Sequence, residues 1–189
     1  MQKNQVQPPG PFHHHGPRSI HPSAPALRAW LQAPGSLTAR LQRFGTVQVL
    51  VQQQRAMTLW PLEQADLQQR LGYVREVVLL LDGRAAVWAR SCTPLAASHG
   101  PWSALRGLGT RPLAELLFAS RQVLRSPLQA QALPRHGAQL AHIARQWRAL
   151  PGALAPSDVP RWARSSVFWH GPHPLRVMEA FSPWVASLA

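Results

Sequence analysis

Residues 46–53 alternate along the chain, with Val47, Val49 and Val51 on one side and Gln48, Leu50 and Gln52 on the other. A period of two predicts a half-buried strand. The strongest local pattern covers residues 73–93, where two apolar runs flank Asp82-Gly83, the turn pair of a two-residue hairpin. A second hairpin is predicted from residues 164–170, the turn Gly171-Pro172-His173-Pro174, and residues 175–181. Residues 122–133 are weakly strand-like. Helical spacing governs Leu27, Trp30 and Leu31, and resumes at Leu37 and Leu41 after a break at Pro34-Gly35, with Ser36 as N-cap. Two short helices are expected within 103–120, broken at Gly107-Leu108-Gly109, the second opened by Pro112. Leu140, Ile143, Trp147 and Leu150 mark a longer helix, and 151–160 is a loop. Hairpin-linked strands with a few helices predict an α+β fold, a single antiparallel sheet of about six strands with helices against it.

The first hairpin carries a chemical expectation. With a plain two-residue loop, Leu81 faces Arg84, Leu79 faces Ala86, Val77 faces Trp88 and Arg75 faces Arg90, all on one sheet face. Two guanidinium groups side by side repel and cannot escape by losing a proton. An anion is therefore expected beside them. Acids are scarce, and Glu179 is the conspicuous one because it shares a strand face with Leu175, Val177 and Phe181. It is an acid/base or ligand-organising candidate beside a carboxylate-binding arginine. The plainer alternative is an ion pair at the sheet edge.

Composition narrows the classes. The 189 residues suit one domain, taken as residues 26–189, after a Pro-, Gln- and His-rich tail at 1–25 expected to be disordered. His13-His14-His15 in that tail is a solvated run rather than a metal site. Lys and Arg number 20 against 7 acids, a formal charge of +13 that favours anionic partners. The basic residues are scattered, and Trp30, Trp88 and Trp147 sit within apolar periods, which argues against nucleic acid. Cys92 is the single cysteine, so no internal disulfide or thiolate metal site is expected. With no signal-peptide pattern and no apolar run long enough for a membrane span, a soluble cytoplasmic protein is expected. Phosphate-cradling loops, nucleophile elbows and zinc spacings are absent from the sequence.

Ordered stretches carry a resemblance. They are Trp30-Leu31 then Ser36-Leu37-Thr38; residues 73–79; Asp82-Gly83 through Trp88-Ala89-Arg90 to Pro94; residues 108–113 with Leu117-Phe118; and Pro174-Leu175 through Glu179-Ala180-Phe181 to Pro183. Together they resemble the chorismate pyruvate-lyase family over residues 26–183, with an insertion at about 134–160 and a leucine at position 37 where the best-known relatives have methionine. The resemblance implies an antiparallel sheet with helical flaps over an enclosed pocket, and conversion of chorismate to 4-hydroxybenzoate and pyruvate, the first committed step towards ubiquinone. It implies a cofactor-free monomer in which Arg75 and Glu179 contact the aromatic acid and the amides of Leu37 and Leu113 bind it. Arg90 joins the substrate-binding set from the hairpin register alone. The competing reading is a small-carboxylate-sensing domain of the same fold. Regulators built on it carry a winged DNA-binding module ahead of it, where a short Pro-rich tail is expected here.

Overall fold

The computed structural model describes residues 25–118, 122–150 and 156–188. The expected tail and its histidines lie outside these residues except for Pro25, which opens the first helix. In chain order the elements are α1 (Pro25–Gln32), α2 (Leu37–Leu41), β1 (Val47–Thr58), α3 (Pro61–Leu67), β2 (Leu71–Leu81), β3 (Arg84–Pro94), α4 (Leu113–Phe118), β4 (Val123–Arg125), β5 (Gln129–Ala132), α5 (Ala138–Arg148), β6 (Trp162–His170) and β7 (His173–Phe181), with short 3-10 turns between.

The strands form one antiparallel sheet in the order β1-β2-β3-β7-β6-β4, with β5 also on β6. The architecture is α+β, with seven strands where about six were expected. The extra strand comes from residues 122–133, which divide around Ser126-Pro127 because proline offers no amide to the ladder. Ser126 still holds the break against β6, donating its N–H to the Val167 carbonyl at 2.8 Å and accepting the Val167 N–H on its hydroxyl at 2.9 Å.

The β2–β3 hairpin departs from the expected register in one respect. Leu81 faces Arg84 and Leu80 faces Ala85, as a two-residue turn requires, but Leu79 then faces Val87. Ala86 is an extra residue on β3. A bulge of one residue turns everything beyond it to the opposite face. Arg75 therefore faces Ser91, not Arg90, and Arg90 faces Glu76. A second bulge at Gln52 on β1 brings Gln53 opposite Glu76.

Helices cover both faces. On one, Trp30, Leu31, Leu37 and Leu41 from α1 and α2 pack on Val77, Leu79, Val87 and Phe181. On the other, Leu140, Ile143 and Trp147 of α5 pack on Val78, Trp88 and Met178. Ser36 caps α2 as expected, its hydroxyl accepting the Ala39 N–H at 3.1 Å. Helix α3 was not anticipated, although Pro61 opens it and Glu63, in its first turn, accepts the Trp60 N–H at 2.8 Å. No helix among the described residues is long and apolar enough to cross a membrane.

Candidate active site

A cavity opens on the α1–α2 face of the sheet. Its floor comes from β2, β3 and β7 (Arg75, Val77, Ala89, Ser91, Val177 and Glu179), and its walls from the starts of α2 and α4 (Leu37, Leu113) and from Arg125 and Phe168. Arg75, Glu179, Leu37 and Leu113 are thus brought to one cavity. Leu37 and Leu113 are each the first residue of a short helix, where amides lack intrahelical acceptors.

Arg75 is 2% exposed. One terminal nitrogen donates to the carbonyls of Gly109 at 2.8 Å and Arg111 at 3.2 Å, in the loop leading to α4. Its Nε is buried without a hydrogen-bond partner. Burial pulls its pKa down to about 10, only slightly countered by Tyr73; a guanidinium this basic still carries its charge at neutral pH. The other buried arginines, Arg90, Arg164 and Arg176, are each paired with a carboxylate; among the described residues Arg75 is not.

Glu179 sits in the next cross-strand row, facing Ala89 on β3 and Arg164 on β6. Its carboxylate accepts from Arg164 Nε at 2.6 Å, rather than from Arg75. Arg164 is itself fixed by donating to the main-chain carbonyls of Trp30 (3.0 Å) and Ala33 (2.7 Å), which tie it to α1 and the α1–α2 connection. The acid is therefore both paired and inside the cavity, and the pair lies between the interior strands β7 and β6 rather than at the sheet edge.

Arg90 does not belong to this cavity. The Ala86 bulge sends it to the far face, where it donates to Glu63 at 2.6 and 2.9 Å and to Glu76. Glu76 also accepts from Gln53, Gln146 and His142, and Arg90 lies over the Trp60 ring at 4.1 Å. This network fastens α3 and α5 to the sheet. Burial alone would raise the Glu76 pKa. Hydrogen bonds from His142 and Gln53 and the Arg90 charge outweigh it, leaving the pKa at about 2.

Sequence reasoning missed Arg164 and Arg125. Arg125 Nε donates to the Ser166 hydroxyl at 3.0 Å, and its guanidinium lies 5.0 Å from the Phe168 ring centre. Its pKa is lowered by burial and then by the Arg164 charge, with Glu179 acting the other way. The missed signal was parity: Arg164, Ser166 and Phe168 lie at period two on β6, facing the face that carries Glu179.

An antiparallel sheet with helices over a cavity on one face defines an α+β pocket domain. The effector domain of PhnF from Mycobacterium smegmatis shares this fold, with a TM-score of 0.50 and 16% identity over 79% of this chain and 89% of that one. The PhnF structure gives a TM-score of 0.52 at 15% identity over 80% of this chain and 65% of its own. The chain belongs to the chorismate lyase family, whose family model matches residues 14–186. It is 45% identical to the probable chorismate pyruvate-lyase of Albidiferax ferrireducens over 168 residues, 83% of each chain. To the probable chorismate pyruvate-lyase of Bordetella avium it is 40% identical over 170 residues, 85% of this chain and 78% of that one.

Proposed function

We infer that this protein is a chorismate pyruvate-lyase. The observation that carries the reading is Arg75: a buried guanidinium with no carboxylate partner among the described residues, facing an apolar cavity that also holds Glu179. An uncompensated buried cation costs several kcal/mol (~3) unless a ligand supplies the counter-charge. Family membership favours the enzyme over a sensing domain of the same fold.

In the reaction the C3–O bond breaks and its electron pair leaves with the enolpyruvyl oxygen. The C4 hydrogen leaves as a proton, and its bonding pair completes the aromatic ring. Protonation of the enolpyruvyl methylene gives pyruvate. Nothing is oxidised or reduced and no water is consumed, so the step proceeds without a cofactor. Arg75 grips the ring carboxylate, assisted by the amides of Leu37 and Leu113. Glu179, held by Arg164, stands where it can take or pass the proton. A dry cavity strengthens each contact. The enzyme acts as a cytoplasmic monomer and supplies 4-hydroxybenzoate towards ubiquinone.

The test is incubation of the purified protein with chorismate, with both products identified. Equal amounts of 4-hydroxybenzoate and pyruvate are expected; no pyruvate above a protein-free control would sink the reading. Glu179→Gln is expected to lower kcat about 100-fold and to change the pH–rate profile. An unchanged profile would leave Glu179 with a positioning role only.

A further inference from the structure

The correction of Arg90 leaves a dianionic substrate one cation short, and the cavity contains a second. The cross-strand row through Arg75 continues to Ser91 on β3, Val177 on β7 and Ser166 on β6. Ser166 is the residue whose hydroxyl Arg125 holds at 3.0 Å. Arg75 and Arg125 therefore reach into one cavity from opposite ends of a single row, with only Ser91 and Val177 between. Three strand spacings separate the ends, about 14 Å at the main chain. Two arginine side chains reaching inward leave room for a six-membered ring with a carboxylate on either side.

The charges agree with this geometry. Glu179 and Arg164 offset each other. Arg75 and Arg125 remain as two cations over an apolar floor. We propose that Arg125 is the second anion site of the cavity, binding the side-chain carboxylate of the substrate while Arg75 binds the ring carboxylate. This rests on the lyase reading for the identity of the substrate. It makes Arg125 a determinant of substrate over product, because the ring carboxylate survives in 4-hydroxybenzoate and the other carboxylate leaves with pyruvate. Stacking on Phe168 and the bond to Ser166 orient the guanidinium in advance.

The experiment compares the unaltered protein, Arg125→Gln and Arg125→Lys. For Arg125→Gln, kcat/KM for chorismate is expected to fall roughly 30-fold or more, mostly through KM, as suits loss of a charge-assisted contact. The Kd of 4-hydroxybenzoate should move less than about three-fold, and lysine should restore part of the loss. Equal losses for chorismate and 4-hydroxybenzoate, or no loss for chorismate, would overturn the proposal. A second measurement varies the ligand. It compares 4-hydroxybenzoate carrying a carboxymethoxy group next to its hydroxyl with the methoxy counterpart. The unaltered protein should bind the dianion at least about ten-fold more tightly, and Arg125→Gln should not. Equal binding of the two by the unaltered protein would overturn the two-anion site. If the dianion is preferred but chorismate yields no pyruvate, the site stands and the lyase reading falls.

Discussion

Replacing Arg75 with methionine is expected to lower chorismate turnover by roughly a thousand-fold or more while the protein remains folded. The two effects come from the same cause. In the free protein the guanidinium is buried, one nitrogen lacks a hydrogen-bond partner, and no carboxylate of the described residues balances the charge. Methionine fills similar space without that cost, so the melting temperature of the ligand-free variant should match or exceed the parent by a few degrees, on the order of 1–2 kcal/mol. Ligand reverses the order. A saturating 4-hydroxybenzoate concentration near 100 Kd should add about 2.7 kcal/mol to the parent and almost nothing to the variant. Steady-state kinetics and paired thermal melts check both parts. Turnover within ten-fold of the parent, by any order-of-magnitude reading of a lost charged contact, would remove Arg75 from the binding machinery.

The far-face network predicts the opposite signature, lost stability with the cavity untouched. The Glu76 carboxyl has a pKa of about 2 in the folded chain against 4.5 for the ordinary group. The folded state therefore favours the charged form. The stabilisation is fully present above pH 4.5 and drains away as pH falls towards 2. At 1.36 kcal/mol per unit the loss is about 3 kcal/mol. Glu76→Gln should cost about 3–5 kcal/mol at neutral pH, because Arg90 loses one of its two carboxylates and the His142 and Gln146 donors lose an ionised acceptor. For a chain of this size that is a fall of about 10 °C in Tm. The curves of parent and variant should approach each other below pH 4.5 and meet near pH 2. Parallel curves from pH 7 to 2 would show that Glu76 is not the acid-sensitive group.

The fold and the site were legible to different depths. Periodicity found both long hairpins, the α1–α2 break and helix α5, because their apolar faces repeat without interruption. Helix α3 was passed over. It is seven residues long and holds few apolar positions, and its visible sign was Pro61 followed by Glu63. Residue identity at the site came from the resemblance and from the odd place of an acid among Leu175, Val177 and Phe181. The pairing did not. Arg90 was assigned to the cavity by counting back from Asp82-Gly83, and nothing in the composition of Ala85-Ala86-Val87 announces the extra residue. Arg164 lay within the second predicted hairpin, but a turn read as four residues instead of two sets it opposite Phe181 rather than Glu179. Arg125 was unreadable, because its meaning depends on β4 lying beside β6, a pairing made across the intervening β5 and α5.

The bulge also constrains how this hairpin can change length. Removing Ala86 alone would leave Ala85 next to Val87 in an uninterrupted ladder, with Val87 still opposite Leu79, Ala89 opposite Val77 and Ser91 opposite Arg75, so both charge systems would keep their faces. Removing Val87 as well would set Trp88 opposite Leu79 and Arg90 opposite Val77, turning both to the cavity side and Ala89 and Ser91 towards α5. A hairpin one residue shorter at the bulge should therefore be viable, while a gap of two across this segment marks a chain whose two faces have traded roles.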